Sequence, residues 1–174
     1  VAAGMAGGST DCATALFGAA RLFDLHLSKK ELMELGVKLG ADVPYCVMRG
    51  TALSEGIGEV LTLLPPMPDC TILIAKPPIS VSTKFVYEHL DSLERYPHPD
   101  IDGMADALEK NDLEGVVKRL GNVLESVTVG EYPIVDKIRQ TMLKSGAKGS
   151  IMSGSGPTVF GIFDSGEQAK EAGD

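Results

Sequence analysis

Three short stretches of this sequence carry residue types suited to holding a phosphate and moving a proton. The first is Val1, Ala2, Ala3, Gly4, Met5, Ala6, Gly7, Gly8, Ser9 and Thr10. It runs directly into an apolar pattern of helical spacing, Ala13, Leu16, Phe17, Ala20 and Phe23. The first N–H groups of a helix have no intrahelical partner and present about half a positive charge. Glycines beside them let the backbone approach an anion closely. The hydroxyls of Ser9 and Thr10 are placed to cap that helix or to reach phosphate and Mg²⁺. No lysine follows the glycines, so this is not the GxxxxGK[ST] loop, and the spacing is not GxGxxG. A flexible glycine linker explains the same residues equally well.

The second stretch is Gly40-Ala41-Asp42-Val43-Pro44. A carboxylate fixed at such a corner can accept a proton, and Pro44 predicts an extended Val43 that would aim Asp42 in one direction. The competing reading is a turn aspartate bonded to its own backbone. The third stretch, Met152 to Thr158, puts Gly154 and Gly156 between two apolar strands in a turn longer than a hairpin needs. Its consecutive N–H groups can form an anion nest, or it is a hairpin turn and nothing more. His26, His89 and His98 have no metal-ligand spacing, and Asp11 reads as a first-turn acid favoured by the helix dipole.

The elements that must position these stretches follow from periodicity. A second helix is predicted from Ser28, with a capping box to Glu31 and an end at Gly40. Short strands are expected over 45–47, 51–54 and 60–63, followed by a linker at Pro65, Pro66 and Pro68 and a domain boundary there. Beyond it come a buried strand over 71–75, a helix over 83–90, a loop over 95–101, and short helices over 104–108 and 113–120. Pro133 opens a helix that stops at Ser145-Gly146, and strands over 147–152 and 158–163 flank the second glycine loop.

Composition excludes several partners. The net charge of −8 gives no long-range attraction to nucleic acid or to an anionic membrane surface. Tryptophan is absent and aromatics make up 5%, which is poor material for base stacking. Cys12, Cys46 and Cys70 are odd in number and widely spaced, so neither a disulfide framework nor a zinc site is indicated, and a reducing cytoplasm fits. No apolar run reaches membrane-spanning length.

Taken together, the three stretches resemble the GHMP kinases. VAAGMAGGST is similar to the phosphate loop of that family, GADVP to the segment holding its catalytic aspartate, and MSGSGPTVF to its C-terminal glycine motif. GTALSEGIGE, KPPISVSTK and NVLESVT extend the likeness in the same order along nearly the whole chain. Within the family it runs nearest to the branch acting on a cytidine-diphosphate-linked methylerythritol. The resemblance implies an α/β (α+β) two-domain fold: residues 1–67 form the second half of a ribosomal-protein-S5-like ATP-binding domain, and 68–174 a ferredoxin-like C-terminal domain. It implies ATP and Mg²⁺ as cofactors, Asp42 as general base, Val1 to Thr10 as the ATP cradle, and Ser9 and Thr10 as magnesium ligands. Thr83, Tyr87, Gly154 and Ser155 fall on substrate-side positions. Phosphoryl transfer to an alcohol of a small molecule, here the 2-hydroxyl of the methylerythritol unit, is the implied activity; a homoserine or mevalonate type of substrate and a non-catalytic nucleotide-binding role are the alternatives. The family's aspartate works beside a lysine on an earlier strand that no lysine here matches. The chain starts inside its first glycine stretch and stops in a starting helix, so it is expected to be a piece at both ends, inactive by itself and short of its final strand.

Overall fold

The computed structural model describes residues 4–93, 96 and 98–174. The chain divides into two compact units, one of Ala6–Pro66 and one of Val1–Met5 with Met67–Asp174. In the first unit, α1 (Gly7–Leu22), α2 (Lys29–Gly36) and α3 (Val43–Met48) precede a hairpin of β1 (Thr51–Glu55) and β2 (Val60–Leu64). The hairpin is antiparallel, with Thr51 opposite Leu64 and Glu55 opposite Val60. Ala13, Leu32, Val43 and Val47 are buried together where the three helices pack.

Several local expectations are corrected here. Residues 45–47 form no strand but the middle of α3. Pro44 sits in the first turn of that helix, where a missing N–H costs nothing, and Val43 with Val47 places one apolar face into the core. Val43 is therefore helical rather than extended. The capping box of Ser28 and Glu31 is present, but α2 ends at Gly36, four residues early. At that position a Cβ would lie 2.8 Å from a Val43 methyl, so the glycine admits α3. Asp11 lies past the first turn of α1, which holds no acidic residue, because the helix begins earlier than the apolar spacing indicated.

In the second unit, β3 (Thr71–Ala75) leads through α4 (Thr83–Leu90), α5 (Ile101–Glu109), α6 (Leu113–Lys118), α7 (Glu125–Glu131) and α8 (Pro133–Lys144) to β4 (Gly149–Met152), β5 (Val159–Phe163) and α9 (Gly166–Gly173). The three strands form an antiparallel sheet in the order β3-β5-β4, with Thr71 opposite Phe163 and Gly149 opposite Ile162. Val86, Val135, Met152, Val159 and Phe163 make up the centre of the core on one face of that sheet. The fold is thus mixed helix and strand, α+β.

β3 is an edge strand, half exposed rather than buried. Leu73 and Ala75 turn to the core while Ile72 and Ile74 are 48% and 50% exposed on the other face. The loop expected over 95–101 lies partly outside the described residues, and Ile101 already opens α5 under the cap of Asp100. Helix α7 was absent from the periodicity. Val127, Thr128 and Val129 are β-branched and Gly130 follows, all poor helix formers, so tertiary packing on α4 and α8 makes the helix. It is this helix that supports the second glycine loop.

Candidate active site

In the first unit the glycine stretch is a helix start rather than a loop. Gly7, Gly8, Ser9 and Thr10 form the opening of α1, and Ala6 at its N-cap is left-handed, with φ 47° and ψ 29°. No side chain caps this end. Thr10 N–H closes the first turn on the Ala6 carbonyl at 2.8 Å, while the N–H groups of Gly7, Gly8 and Ser9 have no acceptor among the described residues. The Thr10 hydroxyl does not cap; it donates back to Ala6 O at 3.0 Å. A Cβ on Gly7 or Gly8 would meet nothing within 4 Å, so packing does not require either glycine.

Asp42 stands at the head of α3, exposed, in a helical conformation and with no side-chain capping bond. The turn aspartate bonded to its own backbone is not what forms. Thr10 Oγ1 lies 3.6 Å from Cys46 Sγ, and Cys46 N–H donates to Asp42 O, so the first turns of α1 and α3 adjoin with Asp42 at the end of one of them. From behind, Gly58 in the β1–β2 turn approaches the Ala41 carbonyl so closely that a Cβ would sit 3.1 Å from it. With φ at +120°, Gly58 takes a conformation that other residues rarely adopt. The pattern of glycines in GTALSEGIGE was the available signal for this support.

In the second unit the loop from Ser153 to Thr158 is held by side chains on several sides. Asn122 Nδ2 donates to Met152 O at 2.9 Å and to Gly154 O at 2.8 Å, while its Oδ1 accepts from Leu124 N at 3.0 Å. Glu125 Oε1 accepts the Met152 N–H at 2.7 Å, and Thr128 Oγ1, fully buried, donates to Ser155 O at 3.3 Å. Ser155 Oγ lies 2.9 Å from Thr83 Oγ1, which brings together two of the substrate-side residues expected from sequence. Tyr87, one turn further along α4, is half exposed. Gly4 belongs to this unit: Ser153 Oγ donates to its carbonyl at 2.6 Å, and at φ +69° a Cβ there would collide with the Ser153 carbonyl. Val1, Ala2 and Ala3 lie outside the described residues. Asn122, Glu125 and Thr128 were not singled out by sequence reasoning, although NVLESVT contains all three.

A groove of about 420 Å³ adjoins the loop, bordered by Arg119, Asn122, Gly154 and Phe160. At its rim Asp100 accepts the Gly103 N–H and the Arg119 guanidinium, which together hold its carboxyl below the usual range.

The family models for the GHMP kinases N terminal domain and the GHMP kinases C terminal region match residues 1–50 and 104–174. The chain belongs to the GHMP kinases. Among the relatives, a 4-diphosphocytidyl-2-C-methyl-D-erythritol kinase of Lachnospira eligens is 63% identical over 163 residues, which is 94% of this chain and 57% of that protein. A kinase of the same name from Lachnoclostridium phytofermentans is 59% identical over 172 residues, 99% of this chain and 59% of that protein. This GHMP kinase chain therefore spans about three-fifths of the length of the curated relatives it matches. Among solved structures, a 4-(cytidine 5'-diphospho)-2C-methyl-D-erythritol kinase matches with a TM-score of 0.78 at 30% identity, covering 98% of this chain and 60% of that one. A homoserine kinase from Cytophaga hutchinsonii matches at a TM-score of 0.83 and 20% identity, covering 99% and 60%. The two scores rank oppositely to the identities. Backbone shape is common to the family and says nothing of the alcohol, so sequence identity is the better guide to substrate.

Proposed function

We propose that the whole protein transfers the γ-phosphoryl group of ATP to the 2-hydroxyl of 4-diphosphocytidyl-2-C-methyl-D-erythritol, a step of non-mevalonate isoprenoid precursor synthesis. The observation that carries this reading is the 63% identity to a kinase of that name along a stretch that includes the GADVP corner and the second glycine loop. On this reading Asp42 takes the proton of the hydroxyl as its oxygen bonds to the γ-phosphorus and the bond from phosphorus to ADP breaks. The N–H groups at the start of α1 stabilise the phosphate charge, and an exposed carboxylate at the head of α3, without a hydrogen-bond partner among the described residues, is free to act as a base.

Residues 1–67 are assigned to the ATP-binding domain and 68–174 to the C-terminal domain, with Thr83, Tyr87, Gly154 and Ser155 on the substrate side. Magnesium fits the hydroxyls at the start of α1 better than any acidic cluster, since the described residues gather no group of three or more His, Cys, Asp or Glu. Ser9 and Thr10 would be its ligands; the Thr10 hydroxyl gives its proton to Ala6 O, which leaves its oxygen lone pairs for the ion. When bound, the ion would supply positive charge that offsets the charge developing on the transferring phosphoryl group. A cytoplasmic location accords with the unpaired cysteines, and among the described residues no helix is long and apolar enough to cross a membrane.

The test is ADP release by the whole protein offered 4-diphosphocytidyl-2-C-methyl-D-erythritol, homoserine and mevalonate in turn. Turnover with the first alone, reduced by roughly 10²–10⁴ in Asp42→Asn, is expected. Turnover with another alcohol would remove the substrate and keep the kinase. ATP binding without turnover of any would replace the enzyme by a nucleotide-binding module.

A further inference from the structure

The peptide groups of the second glycine loop are sorted by direction, and Asn122 does much of the sorting. Its amide holds the carbonyls of Met152 and Gly154 from one side. A trans peptide is planar, with C=O and N–H pointing opposite ways. Fixing the Gly154 carbonyl towards Asn122 therefore turns the Ser155 N–H away from it. Two other N–H groups of the loop are already used: Ser153 N–H donates to Thr158 O at 2.8 Å and Gly156 N–H to Ser153 O at 3.0 Å. Thr128 takes the Ser155 carbonyl. The N–H groups of Gly154 and Ser155 are left without acceptors among the described residues, next to one another and with Gly154 in the left-handed region at φ +56°. Two successive N–H groups in that conformation form a small anion-binding concavity.

We infer that Asn122 is a positioning residue that aims the Ser155 N–H at a phosphate-class anion by holding the Gly154 carbonyl from behind. The inference rests on the kinase reading above for the source of that anion, which is either the ATP phosphates or the diphosphate of the cytidylylated alcohol. An amide is suited to the task because only NH₂ can donate to two carbonyls while its oxygen closes a local turn, here on Leu124 N–H. Aspartate has the same shape and reverses the sign, setting carboxylate oxygens against two carbonyl oxygens.

The experiment compares the whole protein with Asn122→Asp and Asn122→Ala by calorimetric titration, once with ATP and once with the cytidylylated alcohol, and by thermal melting. Asn122→Asp is expected to weaken one of the two ligands by roughly tenfold to a hundredfold, the loss of one hydrogen bond to a charged group, and Asn122→Ala by less. The ligand that weakens identifies the anion. A lower melting temperature with both dissociation constants within a factor of two of wild type overturns the positioning role and leaves Asn122 as a brace. Equal weakening in the two variants also overturns it, because a shape effect and not the sign of the dipole would then govern binding. If Asn122→Asp does not fold, Asn122→Ala decides alone: unchanged affinities refute the role, and selective weakening of one ligand supports it. Binding is read without turnover, so failure of the proposed reaction, seen as absence of ADP release in wild type, stays distinct from failure of this inference.

Discussion

The start of α1 and the loop between β4 and β5 are both glycine-rich, and both leave backbone N–H groups unpartnered among the described residues. They reach that condition by opposite routes. At α1 the helix itself supplies the free N–H groups, since its first turn has no intrahelical acceptors and Ala6 brings no cap. Gly7 and Gly8 stand in open space. The β4–β5 loop is not itself helical, and Asn122, Glu125, Thr128 and Thr83 each bond part of it or the strand end that leads into it. Glycine count is therefore a poor measure of constraint. Where a helix builds an anion site the glycines are optional for stability, and where a loop builds it the surrounding side chains carry the geometry.

Gly4 is the sharpest point on which to break this contrast, because it precedes α1 in sequence yet is gripped by the loop. Gly4→Ala adds left-handed strain and drives a methyl group into the Ser153 carbonyl, and a loss of about 3 kcal/mol is expected in urea unfolding. Ser153→Ala, which removes only the bond to the Gly4 carbonyl, is expected to cost about 1 kcal/mol. A Gly4→Ala protein as stable as wild type would show that the close approach of the two segments is not maintained in solution.

Glu125 tests the loop's support without touching a glycine. Its carboxylate accepts from Met152 N–H on β4, an edge strand whose outward N–H would otherwise be buried without a partner. Glu125→Ala is expected to lose about 1–3 kcal/mol, and Glu125→Gln, which keeps an acceptor oxygen, to recover most of it. Equal losses in the two variants would mean that charge rather than the hydrogen bond is what the site uses.

For Gly8 the expected sign reverses. Alanine there has room and better helix propensity, so Gly8→Ala should stabilise the protein by about 0.5–1 kcal/mol while lowering its affinity for ATP. A variant that gains stability and keeps its ATP affinity would separate the glycine from the nucleotide altogether. The pairing of a gain in one measurement with a loss in the other is what distinguishes a residue kept for a ligand from one kept for the fold.

This contrast also explains what the sequence made legible. Helices with a clear apolar stripe and a cap were readable, as with Ser28 and Glu31 of α2 or Pro133 of α8. The strands of the hairpin and the sheet showed as short apolar runs between turn residues. Helix α3 was not readable, because a short run containing Tyr45, Cys46 and Val47 fits a strand as well as a helix until Val43 and Val47 are seen in one core. Helix α7 was hidden by β-branched residues, and with it went Glu125 and Thr128, two of the side chains that hold the second loop. Asn122 bonds to residues thirty or more positions away, a relation no local pattern carries. Glycines announce themselves in a sequence, whereas the polar side chains that support them from a distance do not.

Acid addresses the wall of the groove beside the loop. The Asp100 carboxyl is held low chiefly by the Gly103 N–H and then by Arg119, so the folded state binds its proton less readily than the unfolded chain. Its contribution to stability is present above the ordinary carboxylate range and is lost as pH falls through it, below about pH 4. Because the group is exposed, the effect is small and should shrink further in salt. Melting curves of wild type and Asp100→Asn are expected to converge as the pH falls; curves that stay parallel would assign the acid sensitivity to other carboxylates.

Thr158 offers the smallest expected change. At 1% exposed, its hydroxyl is the one buried side-chain polar atom without a partner among the described residues. A desolvated hydroxyl that bonds to nothing destabilises the fold, and valine fills nearly the same volume without that cost. Thr158→Val is therefore expected to leave stability unchanged or raise it by up to about 1 kcal/mol. A fall of the same size would reveal a partner for the hydroxyl, a water or a ligand atom inside the loop, and ATP titration of the variant would separate the two. The water would leave the affinity where it was, while a ligand contact would weaken it, extending to a second buried group the role inferred above for the Ser155 N–H.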